Sequence, residues 1–185
     1  LRTIKPATWD DVVAAPEHLR AELIDGELTL RPRPAMRHGR AGLRIARALG
    51  GADGDDLDGW FIAVEPELHL GQPDPRTLVL VPDLAGWRAD RAQGLADAVA
   101  AEVVPDWICE ILSPGTHRYD RLVKMDRYAR LGVAWAWLVD PAEAVLEVYR
   151  LHEGAWLRVQ SASGDEQLTV LPFDVTVRLA GWFPS

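Results

Sequence analysis

Two acidic residues stand inside apolar segments, where an ionised carboxylate is costly. Asp83 follows the run LVLVP, and Glu110 sits in WICEIL. Runs this apolar read as central strands buried on both faces. A charge there must meet a cation, a basic side chain or several donors. Pro82 cannot donate to a ladder and marks a strand end or edge, so Asp83 is expected where the sheet stops pairing. Either acid alone could be an exposed strand end or half of a salt bridge. Two on neighbouring strands favour a divalent-metal site, and oxygen ligands suit Mg²⁺ or Mn²⁺.

Further along, Asp120, Lys124 and Tyr128 are spaced i, i+4, i+8 and share one helical face. On a helix standing alone this would be an ordinary exposed ion pair, worth about 0.3 kcal/mol. The connection SPGT is short, however, so the helix starts just beyond the Glu110 strand and Lys124 could turn back toward the acids. A third feature is basic: Arg31, Arg33, Arg37, Arg40, Arg44 and Arg47 occur with no acid among them. Arg37, Arg40, Arg44 and Arg47 form a single helical stripe, with His38 beside it. A charge run is usually a solvated face; concentrated in an acidic protein, it is also what a phosphate-backbone contact looks like.

Other positions read more plainly. Glu22 and Glu27 flank a turn and are expected at the surface, although Glu22 could supply an extra acid. Glu65 and Glu67 alternate with Val64 and Leu68, as in a strand with one wet face. His69, His117 and His152 have no partner at metal-ligand spacing, and Cys109, next to Glu110, is expected to point into the core. Walker, GxGxxG, HExxH and GxSxG motifs are absent from the sequence.

The elements that must position these residues follow from periodicity and breakers. Thr8 and Asp11 suggest a helix N-cap, with a short helix ending near Pro16. ELIDGEL reads as a hairpin, since Asp25-Gly26 suits a type I′ turn. A helix is expected over 35–50, then an acidic glycine-rich loop at 53–58. Strands are expected over 61–70 and 77–87, an alanine-rich helix over 90–102, and a strand over 107–112. Over 116–131 a helix is expected to place Leu122, Met125 and Ala129 on one face, with Gly132 as its C-cap. Strands follow at 134–140, 145–151 and 156–162, and the tail from Leu168 to Phe183 supplies one or two more. The sum is one α/β domain over 1–185, a central mixed sheet with helices packed on it.

Composition bounds what such a site could serve. The 185 residues are 48% apolar and 26% charged, which excludes whole-chain disorder, collagen and coiled coil. Twenty Lys+Arg against 28 Asp+Glu leave a formal net charge of −8, which disfavours coating nucleic acid through bulk charge and leaves a local basic face open. One cysteine excludes an intramolecular disulfide and a Cys-cluster zinc site. No apolar run approaches the ~18–20 residues of a membrane span. The first eleven residues lack the pattern of a signal peptide, and the expected compartment is the cytoplasm. The eight tryptophans are expected to serve the core.

The order ELIDGEL, PDLAGWR, PDWICEILSPGTHRYDRLVKMDRYARLGV, WLVDP resembles the Uma-type family of restriction endonucleases, from about residue 8 to residue 183. That family looks like a branch of the PD-(D/E)XK nuclease superfamily, an α+β, restriction-endonuclease-like fold with a mixed central sheet flanked by helices. Pro82-Asp83 matches the superfamily's PD, and Glu110 its second acid. Leu112 stands where the usual lysine would, and the resemblance implies that the lysine has migrated to Lys124. Asp120 and Tyr128 match the pattern around that lysine, and His38 the histidine after the proline-rich segment. The implied activity is metal-dependent hydrolysis of phosphodiester bonds in DNA. Asp83 and Glu110 would hold Mg²⁺ or Mn²⁺ with the Ile111 carbonyl, Lys124 would act on water or on developing charge, and the arginine stripe would hold the backbone. A homodimer is expected, because duplex cleavage needs a second active site. The alternative is a nuclease-fold protein that binds nucleic acid or protein and cuts nothing.

Overall fold

The computed structural model describes residues 5–32, 35–50 and 59–183. Arg33, Pro34 and the acidic loop 53–58 lie outside the described residues. Helix α1 is Trp9–Val13, started by the Thr8–Asp11 pair. Strands β1 (Leu19–Ile24) and β2 (Glu27–Pro32) form the expected hairpin. Asp25 and Gly26 both have positive φ, 53° and 75°, as a type I′ turn requires. Helix α2 is Met36–Gly50. It buries Ala41, Ile45 and Leu49 and turns Arg37, Arg40 and Arg47 to solvent.

The main sheet has the order β10-β9-β8-β7-β6-β3, using β3 (Trp60–Val64), β6 (Leu84–Arg88), β7 (Trp107–Ile111), β8 (Trp135–Asp140), β9 (Val145–His152) and β10 (Ala155–Ser163). Only β7 and β8 run parallel, joined by the helix α3 over 117–131, as a parallel pair demands a crossover. Every residue of β7 is buried, so its alternate side chains enter two different cores. Trp107, Cys109 and Ile111 face α2 and an aromatic cluster with Trp60, Trp137, Phe173 and Trp182. The hairpin of β11 (Gln167–Val170) and β12 (Val175–Arg178) covers that side. Ile108 and Leu112 face the second core, with Met125 and Tyr128 of α3. A smaller sheet, β2-β1-β5-β4, with β4 at Leu68–His69 and β5 at Val79–Leu80, adds Leu68 and Leu80 to it. Among the described residues no helix is long and apolar enough to cross a membrane.

Several expected elements are corrected. The segments 61–70 and 77–87 are each two strands, because the chain changes sheets within them. The first breaks at Glu65, with φ +49°, and Pro66; the second breaks at Pro82-Asp83. No helix forms over 90–102. Two 3₁₀ turns, Ala89–Arg91 and Leu95–Asp97, are separated by Gly94 at φ +80°. Alanine content does not offset the cost of nucleating a helix so close to a left-handed glycine. Helix α3 contains a π-helical turn at Asp120–Lys124, and Leu122 is 63% exposed rather than aligned with Met125. The face turned to the sheet is Asp120, Lys124, Met125 and Tyr128.

Candidate active site

The ladder between β6 and β7 pairs Leu84 with Cys109, and one further step along it sets Asp83 beside Glu110. Leu84 and Cys109 enter the aromatic core, so strand alternation turns both acids to the opposite face. The Ile111 N–H donates to Asp83 Oδ2 at 2.7 Å, which locks the first acid to the strand carrying the second.

Lys124 arrives from α3 above them. Its Nζ is 2.7 Å from Glu110 Oε1 and 3.2 Å from Glu22 Oε1, and it donates to the Val81 carbonyl at 3.0 Å. Glu22 Oε1 in turn accepts the Val81 N–H at 2.9 Å. Val81 lies on the step between β5 and β6, where ladder pairing lapses, so the cluster satisfies backbone groups the sheet leaves open. The Tyr128 hydroxyl donates to Glu110 Oε1 at 2.6 Å. From α2, His38 Nε2 approaches Asp83 Oδ1 to 2.9 Å, although its N–H does not point along that line. Glu22, Asp83, Glu110, Asp120 and Lys124 are all at most 5% exposed.

Four buried acids around one buried ammonium leave surplus negative charge, and the proton affinities follow it. Burial pushes the Glu110 carboxyl well above the usual carboxylate range; Lys124 offsets this only in part, while Asp120, Asp83 and Glu22 add to it. Burial likewise raises Asp120. Asp83 goes the other way, because His38, Lys124 and the Ile111 N–H outweigh burial and hold it below its ordinary value. Burial alone would lower Lys124, but Glu110, Glu22, Asp120 and Asp83 raise it, so the ammonium stays charged. Burial, then Glu110 and Glu22, pushes the Tyr128 phenol well up.

The structure thus brings together Asp83, Glu110, Lys124, Glu22, His38, Asp120 and Tyr128. Glu22 is a correction to its surface reading: the smaller sheet folds over the larger and buries the strand face that looks wet in sequence. Arg37, Arg40, Arg44 and Arg47 stay outside the cluster, on the outer side of α2, with no ion-pair partner among the described residues. Arg31, from the same basic run, lies on β2 and turns elsewhere, donating to the Gly115 carbonyl at 3.2 Å and stacking 4.0 Å over the Tyr119 ring. Cys109 is buried in the core, as its position next to Glu110 requires. Sequence reasoning missed Arg20, whose Nη1 is 3.3 Å from Asp83 Oδ1 and whose Nη2 is 2.5 Å from Glu65 Oε1. The available signal was strand periodicity, since Arg20 and Glu22 are two apart on β1 and share a face.

A mixed sheet wrapped this way, with helices on its flanks, has a counterpart among solved structures. It matches a crystal structure from Anabaena variabilis ATCC 29413, described as "a putative nuclease belonging to DUF820", at 21% identity and TM-score 0.75, over 96% of this chain and 98% of that one. Residues 9–180 match the family Uma2, described as "Putative restriction endonuclease", and the chain belongs to that family. Among curated proteins none matches.

Proposed function

We propose that the chain is a metal-dependent endonuclease that hydrolyses phosphodiester bonds in DNA, acting as a single domain that pairs as a homodimer to cut both strands. The observation that carries this reading is the delivery of Lys124 from α3 to within 2.7 Å of Glu110, beside the strand-locked Asp83. The donor set fits a hard divalent cation: the oxygens are carboxylates, and the buried charge is in negative surplus. No group of three or more His, Cys, Asp or Glu among the described residues is arranged to hold a metal. Asp83 and Glu110 would therefore hold Mg²⁺ or Mn²⁺ as a pair, with the Ile111 carbonyl, leaving positions for water and phosphate. When bound, the ion supplies Lewis acidity, acidifying water and neutralising charge on the phosphate.

The chain's own groups do the rest. Lys124, kept charged by the surrounding acids, works as a hydrogen-bond donor that orients the attacking water or meets developing oxyanion charge. Glu22 and the Val81 carbonyl hold its amine in place. Tyr128 and His38 orient Glu110 and Asp83, and Asp120 adds to the field that keeps Lys124 protonated. The α2 arginines would hold the DNA backbone and carry no sequence information.

A second reading is favoured by one observation: Lys124 is wholly engaged by protein partners, as in a nuclease fold that binds and does not cut. The deciding experiment incubates the protein with supercoiled plasmid and single-stranded DNA, with Mg²⁺ or Mn²⁺, beside Asp83→Ala and Glu110→Ala. Cleavage by the wild type alone is the expected result. Three equally inert proteins, with no metal binding by calorimetry, would hand the site to the binding reading.

A further inference from the structure

Asp83 is gripped from a side that the proposed chemistry does not use. Its Oδ1 faces His38 Nε2 at 2.9 Å and Arg20 Nη1 at 3.3 Å, while Oδ2 accepts the Ile111 N–H at 2.7 Å. A carboxylate oxygen has two acceptor positions. At Oδ1 the Arg20 hydrogen bond takes one and the His38 ring crowds the other, and one remains at Oδ2. The guanidinium is not free to leave, because Nη2 is 2.5 Å from Glu65 Oε1. Glu65 is a non-glycine residue at φ +49°, and its N–H donates to the Asp83 backbone carbonyl at 2.9 Å. Backbone strain of this kind persists only where the surroundings over-determine it, and it clusters at functional sites. Arg20 also forms the wall of a groove with Val12, Pro16, Leu19, Glu65 and Glu67. Those acids make the groove a poor bed for a phosphate chain, so the arginine's charge serves Asp83 rather than a polyanion.

We infer that Arg20, tethered by Glu65, is a positioning residue that blocks Oδ1 of Asp83 and leaves Oδ2 as the single oxygen offered to a divalent cation. The inference rests on the metal-dependent reading above. It carries a cost in affinity, since a fixed positive charge beside a metal ligand repels the ion. Removing the charge should therefore tighten metal binding while loosening geometry, a combination that simple damage to the fold does not produce.

The test titrates Mn²⁺ into the DNA-free protein by calorimetry and measures plasmid cleavage at saturating Mn²⁺. Arg20→Gln is expected to bind Mn²⁺ about tenfold tighter and to cleave about tenfold more slowly. Arg20→Lys keeps the charge but loses the planar fork that sends Nη1 to Asp83 and Nη2 to Glu65; it should bind Mn²⁺ like the wild type and still cleave slowly. Should Arg20→Gln not fold, Glu65→Gln at its exposed position decides the matter. Freed from its tether, Arg20 turns wholly to Asp83, and Mn²⁺ should bind about threefold more weakly. Wild-type affinity in Arg20→Gln, or in Glu65→Gln where that stands in, overturns the inference alone. A wild type that binds no Mn²⁺ overturns the metal-dependent reading with it.

Discussion

Lys124 meets carboxylates from three directions, β1, β7 and its own helix, and this sets what its loss should do. Lys124→Met leaves Glu22 and Glu110 buried without their cation. Breaking a buried pair in this way costs about 3–5 kcal/mol, and Glu110 softens it by keeping a proton. The expected outcome is a loss of about 3 kcal/mol in urea unfolding at pH 8, with cleavage at least about a hundredfold slower. Undiminished cleavage would remove Lys124 from the chemistry. The acids predict a pH dependence whose sign is fixed. Glu110 binds its proton more tightly folded than unfolded, so above its ordinary 4.5 the native state holds a proton the unfolded chain has released. Stability then falls as pH rises, until the folded-state value is passed. Asp120 acts in the same sense. Asp83, lowered in the fold, gives stability that is present above 3.8 and lost only as pH falls through its folded value, a separate window. Melting temperatures without divalent ions should therefore decline from pH 5 to pH 8, and decline less in Glu110→Gln. Equal slopes would show that Glu110 is not the source. Asp83 and Glu110 stand out in the sequence because an acid inside an apolar run is an energetic anomaly. Glu22 and Arg20 do not, because alternation with Leu23 and Ala21 looks like any half-wet strand until a second sheet closes over it.

At the level of elements, the β1–β2 hairpin sets the height of Glu22 over the site, and its turn is the part most exposed to substitution. Gly26 has φ +75°, and a Cβ there would lie 2.8 Å from Pro6 Cβ. Gly26→Ala should cost about 1–2 kcal/mol from the left-handed backbone alone, with the Pro6 contact adding to it. Thermal unfolding should show the loss, and a wild-type melting curve would mean that the turn relaxes without strain. This hairpin was legible because Asp-Gly between short alternating strands encodes its own geometry. The broken strands were not, since a hydrophobic run looks the same whether it stays in one sheet or passes between two. Only Pro66 and Pro82 hint at the crossings, and Asp83 owes its position to the second. The stretch 90–102 misleads for a different reason: its alanines favour a helix locally, while Gly94 and the pairing of Ala101 with Leu68 impose turns and a bridge. In α3 the periodicity gave the helix and its Gly132 cap. The π turn was invisible in it, and within that turn Leu122 faces solvent while Lys124 faces the acids.

Over the whole molecule the charge is divided unevenly. The chain is acidic by eight charges, yet the outer face of α2 carries Arg37, Arg40, Arg44 and Arg47 with no acid partner among the described residues. His38 in the first turn of the same helix touches Asp83, so the basic ridge begins at the candidate site and leads away from it. On an acidic body such a ridge is a local attraction for a polyanion, which would orient DNA as well as hold it. Each arginine that displaces a counterion from duplex DNA contributes about 0.9 to the slope of log K against log salt. Arg40→Gln with Arg44→Gln should therefore lower that slope by up to about 1.8, equally on duplexes of unrelated sequence, because backbone contacts read no bases. Fluorescence anisotropy of a labelled duplex across 50–200 mM salt, without divalent ions so that nothing is cut, makes the measurement. The melting temperature should stay as in the wild type, since neither side chain has an ion pair to lose among the described residues. A slope unchanged by the double substitution would mark the ridge as a solvated face and send the search for the DNA path to the other side of Asp83.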